Sequence, residues 1–127
     1  MIAGIGTDLV ECARLAALWA RFGERVAARL LAPAERAAFR ASRDPARFLA
    51  KAFAAKEAFA KATGSGLREP VSLTRMALLR DAWGKPYFEC APPLAAWLAA
   101  RGIGTHHVSL SDEGGYVLAF VVLERST

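Results

Sequence analysis

The sequence predicts an α+β fold, a single small domain over residues 1–127 in which an antiparallel sheet packs against one long helix. Apolar residues at helical spacing dominate the first half of the chain, and alternating apolar and polar residues dominate the second half. Two glycine-containing connections in the second half are typical of hairpins. The length suits one hydrophobic core, and no linker, repeat or low-complexity tract divides it.

The first half begins with a strand and continues with helices. Residues 2–7 form a short apolar run interrupted by two glycines, which predicts a buried strand. A helix is expected from Asp8, because Asp8 and Glu11 have the spacing of a capping box. The apolar residues that follow at helical spacing are Leu15, Leu18, Trp19 and Phe22. A second helix is expected over residues 33–41, with proline at an early position.

The longest helix is expected over residues 44–63, and a Gly-Ser-Gly segment ends it. On a helical wheel its core stripe consists of Phe48, Ala52, Ala55, Phe59 and Ala62. Glu57 and Lys61 lie nearly opposite, four residues apart, as in an ordinary surface ion pair. However, Phe53 lies one turn before Glu57 on the same side, and alanines flank it. This pattern favours a face that another surface covers.

The second half predicts two hairpins separated by a helix. The strands are expected over residues 71–80, 87–90, 106–111 and 116–123, with a helix over 92–100. The hairpin connections are expected over residues 81–86 and 112–115. His106 and His107 are adjacent on one strand and therefore point to opposite faces, which excludes a paired metal site.

Composition narrows the class of protein. The net charge of +5 favours acidic or phosphorylated partners, but the basic residues are dispersed and form no nucleic-acid-binding arm. Two distant cysteines indicate neither a disulfide framework nor a structural zinc site and suit a reducing cytoplasm. We expect no signal peptide, because the N-terminus lacks a basic region, and no membrane span, because no apolar run approaches about 20 residues.

Asp8 has two interpretations from the residues alone. It is either a helix N-cap or a carboxylate at a strand end that is available to a hard cation. Magnesium usually takes one or two protein carboxylates and completes its coordination with water and phosphate oxygens. Asp8 and Glu57 would suffice for such a site if the fold brought them together.

Four segments are similar to motifs of the bacterial holo-acyl-carrier-protein synthases, which are 4′-phosphopantetheinyl transferases. They are Gly4-Ile5-Gly6-Thr7-Asp8-Leu9-Val10-Glu11 followed by Arg14, Phe53-Ala54-Ala55-Lys56-Glu57-Ala58-Phe59-Ala60-Lys61-Ala62 followed by Gly64-Ser65-Gly66, Gly84-Lys85-Pro86, and Val108-Ser109-Leu110-Ser111. The resemblance extends over essentially the whole chain.

The resemblance implies transfer of 4′-phosphopantetheine from coenzyme A, as co-substrate, to a serine of an apo acyl carrier protein, with release of 3′,5′-ADP. It implies Mg²⁺ at Asp8 and Glu57, with Lys61 close to the transferred phosphate and Glu57 as candidate base, directly or through a water. Coenzyme A would contact Lys61, Lys85, Ser111 and the two glycines Gly64 and Gly66. It also implies a homotrimer with active sites between subunits, in which Asp8 and Glu57 of one site come from different chains.

The acidic carrier protein is expected to dock on Arg14 and Arg21 of the first helix, for which ordinary surface charge is the alternative. The sequence leaves open whether the carrier serves fatty-acid or polyketide synthesis.

Two positions depart from the family pattern. Asp112 stands where relatives commonly have histidine, and Ala52 stands where they often have arginine. We expect Asp112 to be an ordinary hairpin residue. The departures leave open an alternative, a catalytically degenerate module that binds coenzyme A or a carrier protein. A basic nucleic-acid-binding domain is a third reading, supported only by charge, and the absence of interleaved aromatic and basic residues counts against it.

Overall fold

A computed structural model describes all 127 residues and confirms the α+β class. The helices are α1 (Cys12–Phe22), α2 (Glu24–Leu30), α3 (Arg36–Ala41), α4 (Pro45–Thr63) and α5 (Pro92–Ala100). The strands are β1 (Ile2–Glu11), β2 (Met76–Arg80), β3 (Pro86–Cys90), β4 (Ile103–Glu113) and β5 (Tyr116–Arg125). Short 3₁₀ turns precede α3 and β2. No helix has both the length and the apolar character that a bilayer span requires.

The core lies between α4 and a three-stranded antiparallel sheet of order β1-β5-β4. Alternate residues of β5 face α4 and are completely buried, namely Val117, Ala119, Val121 and Leu123. The expected α4 core stripe is confirmed at Ala52, Ala55, Phe59 and Ala62, which are buried. The flanking alanines Ala50, Ala54 and Ala58 are also fully buried, so the helix is covered on more than one side.

Two glycines let β1 contact the backbone of α4. A Cβ built on Gly4 would collide with the carbonyl oxygen of Ala62, and one built on Gly6 would collide with that of Ala58. Only glycine therefore fits at either position without moving the strand away from the helix. This close approach brings the next residue on the same side of β1, Asp8, beside the helix.

The β2–β3 hairpin forms a second, two-stranded sheet. The Nε2 atom of His106 on β4 accepts a hydrogen bond of 2.9 Å from the backbone N–H of Phe88 on β3. The two rings also meet edge to face, with centroids 5.5 Å apart. His107 points the other way and lies 2.7 Å from Glu124, which confirms that the adjacent histidines face opposite sides.

Several element boundaries differ from the sequence expectation. The first strand does not end at residue 7 but continues to Glu11, because β5 pairs with it over that length. Asp8 is therefore not a helix N-cap, and Glu11 occupies that position without a capping side-chain hydrogen bond. The helix α2 was not expected, and β2 begins at Met76 because a 3₁₀ turn occupies residues 73–75.

Candidate active site

Asp8 and Lys61 form the first part of the candidate site. Asp8 lies on β1 opposite Ala119 of β5, and Lys61 lies in the last turn of α4. The Lys61 Nζ atom is 3.2 Å from Asp8 Oδ1 and donates a 2.9 Å hydrogen bond to the carbonyl of Thr7. The side chain of Asp8 is 17% exposed and that of Lys61 is 54% exposed, so a ligand can reach both groups.

Glu57 lies one turn before Lys61 on α4. Partial burial raises the pKa of Glu57, and the negative charge of Asp8 raises it further, while Lys61 and Arg14 oppose the shift. Asp8 and Glu57 are therefore neighbours within one chain, and the expectation that the two carboxylates of a site come from different subunits is wrong. Lys61 is paired with Asp8, so the simple surface pair between Glu57 and Lys61 is also wrong.

The two carboxylates fit a hard divalent cation. They repel each other and share a single ammonium group, so a second positive charge between them would be stabilising. No group of three or more histidine, cysteine, aspartate or glutamate side chains suited to a metal is present. Magnesium requires only one or two protein carboxylates when phosphate oxygens supply further ligands. Asp8 and Glu57 therefore suit Mg²⁺ together with a phosphorylated substrate.

The glycine loop after Lys61 is held by internal hydrogen bonds. Gly64 ends α4 in the left-handed region, with φ of 83°, and its N–H donates to the carbonyl of Lys61 at 3.0 Å. The N–H of Gly66 donates to the carbonyl of Ala60 at 3.2 Å. The space beside both glycines is open. The loop therefore leaves room for a ligand directly after Lys61.

Lys85 and Ser111 belong to a second part of the candidate site. Both line a cavity of about 430 Å³ between the β2–β3 hairpin and β4. Lys51 and Arg80, which the sequence analysis missed, line the same cavity. None of Asp8, Glu57 and Lys61 lines it. The expected coenzyme A residues of one chain thus fall into two separate groups.

Asp112 also lines this cavity, and its expected place in a hairpin connection is wrong. It lies in β4 opposite Val117, because the strand continues to Glu113 and the turn consists of two glycines. Its Oδ2 atom lies 3.2 Å from Arg47 Nη1 and 3.3 Å from Lys51 Nζ. The hydrogen bond and charge of Lys51 lower the pKa of Asp112, and Arg47 adds to this effect.

The expected docking arginines lie along α1. The guanidinium of Arg14 is 5.4 Å from the centroid of the Phe53 ring, on the side of α4 that carries Glu57. Arg21 lies 5.1 Å from the centroid of Phe22. An apolar groove of about 270 Å³ with basic residues opens beside Phe22; it is lined by Leu18, Phe22, Arg25, Val26, Arg29, Leu30 and Leu73.

A buried ion pair behind the site was missed by the sequence analysis. Lys56 and Glu35 are both fully buried as side chains, and Lys56 Nζ donates to Glu35 Oε1. The signal was available, because Lys56 lies four residues after Ala52 and three before Phe59 on the core stripe of α4.

Comparison with known proteins agrees with the geometry. The 4′-phosphopantetheinyl transferase superfamily matches residues 4–121. The holo-[acyl-carrier-protein] synthase of Thiobacillus denitrificans is 64% identical over 99% of this chain and 96% of its own length.

Two solved structures of holo-[acyl-carrier-protein] synthases have the same fold. The crystal structure from Neisseria meningitidis has a TM-score of 0.95 at 48% identity and covers 98% of this chain and 100% of its own. The Bacillus anthracis structure, in complex with CoA (3′,5′-ADP), has a TM-score of 0.81 at 31% identity and covers 100% of this chain and 99% of its own. The chain therefore belongs to the holo-[acyl-carrier-protein] synthases of the 4′-phosphopantetheinyl transferase superfamily.

Proposed function

We propose that this chain transfers 4′-phosphopantetheine from coenzyme A to a serine of an apo acyl carrier protein and releases 3′,5′-ADP, with Mg²⁺ as cofactor. The observation that carries this proposal is the grouping of Asp8, Glu57 and Lys61 on β1 and α4 of one chain. Two carboxylates and an ammonium suit a magnesium-bound pyrophosphate. The complex of a relative with CoA (3′,5′-ADP) supports coenzyme A as the co-substrate.

The residues of the chain have distinct parts in the reaction. The serine Oγ atom attacks the β-phosphorus of coenzyme A. The bond between that phosphorus and the bridging oxygen of the pyrophosphate breaks, and 3′,5′-ADP departs with the bonding electrons. Asp8 and Glu57 would hold Mg²⁺, which supplies neutralisation of the pyrophosphate charge when bound. Lys61, exposed and anchored by the Thr7 carbonyl, stabilises negative charge that develops on the phosphoryl oxygens.

Glu57 is our candidate for the base that takes the serine proton. Glu57 would take the proton directly, or through a metal-bound water that it orients. Gly64 and Gly66 leave open space beside Lys61 for coenzyme A. Lys85 and Ser111 line the cavity between the β2–β3 hairpin and β4, where Lys85 would contact a phosphate of the nucleotide.

We propose that the acidic carrier protein docks along α1. Arg14 lies beside Phe53 at the candidate site, and Arg21 lies seven residues further along α1, beside the apolar groove. An acidic helix with a few apolar side chains would complement this surface in both charge and shape. Binding there would bring a serine near Arg14 towards Glu57.

We also propose that the chain forms a homotrimer with active sites between subunits. The outer face of the main sheet exposes large apolar side chains that alternate with the buried ones; they are Ile5, Leu9, Tyr116, Leu118 and Phe120, each 42–63% exposed. A contiguous apolar face of this kind is typical of an interface. A neighbouring copy would bring the Lys85 and Ser111 cavity to the Asp8 and Glu57 group.

The two cysteines, Cys12 and Cys90, are unpaired, which supports a cytoplasmic location for the reaction. We propose the acyl carrier protein of fatty-acid synthesis as the first carrier to test, and a polyketide carrier as the second.

The transfer is tested by incubating the protein with apo carrier protein, coenzyme A and Mg²⁺ and weighing the carrier by mass spectrometry. We expect a phosphopantetheine adduct and its loss on addition of a chelator. Glu57→Gln should nearly abolish the adduct, while Glu89→Gln, an exposed glutamate on β3, should not. Coenzyme A binding without any adduct would instead indicate the degenerate binding module.

The shared site is tested by subunit complementation. A variant with Asp8→Asn and a variant with Lys85→Ala are each expected to be poorly active. Refolded together in equal amounts, they should recover up to about a quarter of the wild-type activity, because some sites combine two intact halves. No recovery, or a light-scattering mass equal to one chain, would contradict the intersubunit site.

A further inference from the structure

The cavity between the β2–β3 hairpin and β4 carries an uneven balance of charge. Lys51, Arg80 and Lys85 contribute three positive charges to its lining, and Asp112 contributes the single negative charge. Arg80 and Lys85 form no salt bridge, and Arg80 Nη1 donates only to the backbone carbonyl of Gly84 at 2.9 Å. The cavity therefore attracts anions, and two of its three cations are free to bind them.

Asp112 already forms a salt bridge with Lys51, one of the cations that line the cavity. Both Arg47 and Lys51 contact the same oxygen, Oδ2, at 3.2 and 3.3 Å, from successive turns of α4. Arg47 is shared further, because its Nε atom lies 3.5 Å from Asp44. Any phosphate that approached Lys51 from the cavity would meet the Asp112 carboxylate as a like charge beside it.

We propose that Asp112 is a resident counter-ion of this cavity, which a phosphate group of the nucleotide partly displaces from Lys51 and Arg47 on binding. This inference rests on the proposed function, because the nucleotide is the 3′,5′-ADP part of coenzyme A. Asp112 limits how tightly that part is held. Since 3′,5′-ADP is also the product that must leave, a weaker hold favours its release.

The sign of one measurement distinguishes this role from a positioning role. If Asp112 only held Lys51 and Arg47 in the orientation that phosphate needs, its removal would weaken nucleotide binding. If it competes with phosphate, its removal strengthens binding. Exposed ion pairs are individually weak, so the loss of two should change the binding constant by about threefold to tenfold.

The experiment is calorimetric titration of the metal-free protein with 3′,5′-ADP. We expect Asp112→Asn to bind about threefold to tenfold more tightly than wild type, with a matching fall in the product inhibition constant. Glu113→Gln is the matched control, since it removes the same charge from the next residue of β4, which forms no salt bridge. Its affinity should change less than twofold. In a Lys51→Met background the effect of Asp112→Asn should shrink.

Unchanged or weaker binding by Asp112→Asn would overturn the inference. If wild type still transfers phosphopantetheine in that case, the proposed function stands and only the counter-ion role fails. If wild type neither binds 3′,5′-ADP nor modifies a carrier, both fail together.

Discussion

Replacing Lys56 with methionine is expected to destabilise the protein by about 3–5 kcal/mol, the usual cost of removing one partner of a buried ion pair. Lys56 Nζ has no exposed surface and donates to the carbonyls of Leu30 and Leu73, both at 2.8 Å, as well as to Glu35. These acceptors lie at the end of α2, in the 3₁₀ turn before β2 and in the turn before α3. The lysine therefore joins three segments to α4.

Most of the destabilisation comes from the Glu35 carboxylate, which loses its partner. Without Lys56, its Oε1 atom keeps only the backbone N–H of Ala32, at 2.9 Å, and its buried Oε2 atom has no hydrogen-bond partner at all. Burial lowers the pKa of Lys56, and the charge and hydrogen bond of Glu35 oppose that shift, so the charge of Lys56 depends on Glu35. Methionine occupies a similar volume, and packing should contribute little to the change.

Urea unfolding followed by circular dichroism at pH 7 measures the free energy of unfolding. The matched double variant, Lys56→Met with Glu35→Gln, removes both charges while glutamine can still accept from Ala32. It should recover most of the loss. The reasoning would be refuted if Lys56→Met lost less than about 1 kcal/mol, or if the double variant were no more stable than the single one.

Three further outcomes are expected. Gly6→Ala should lower the free energy of unfolding by several kcal/mol, since its Cβ would meet the α4 backbone, while Trp83→Ala, at an exposed position of the β2–β3 turn, should cost about 1 kcal/mol or less. Burial, with a smaller effect of the neighbouring His107, lowers the pKa of His106 below 6.5. The unfolded state therefore binds more protons than the folded state below that pH, and the free energy of unfolding should fall as the pH drops below about 6.5. His106→Gln, which can still accept the hydrogen bond from Phe88, should reduce this pH dependence of the free energy of unfolding between about pH 7 and 5. Asp8→Asn should lower the pKa of Glu57 in an NMR titration of metal-free protein, and a rise would contradict their proximity.

Much of the fold was predictable because it depends on local patterns. The long helix had a capping aspartate, an early proline and a terminal glycine loop, and it spans Pro45–Thr63 with Asp44 accepting from the N–H of Arg47. The two hairpins followed from their turn residues. The strands that face the core were predicted from their alternating apolar and polar residues.

The remaining differences arise from distant contacts. Asp8 reads locally as a helix cap, but pairing with β5 extends the strand past it, and no local pattern encodes that partner. In the same way, Asp112 reads as a turn residue until β4 is paired with β5 beyond it. Lys51 and Arg80 become neighbours only when the hairpin folds over the start of α4.

The close contact between β1 and α4 has a consequence for how this protein can change over evolution. Gly4 and Gly6 set the spacing of the two elements through backbone atoms, not through interdigitating side chains. Core residues on other elements, such as Leu15 and Leu94, can then be exchanged and repacked while Asp8 keeps its place beside the helix. Substitutions in the rest of the core should thus change stability without moving Asp8, whereas substitutions at the two glycines should change both.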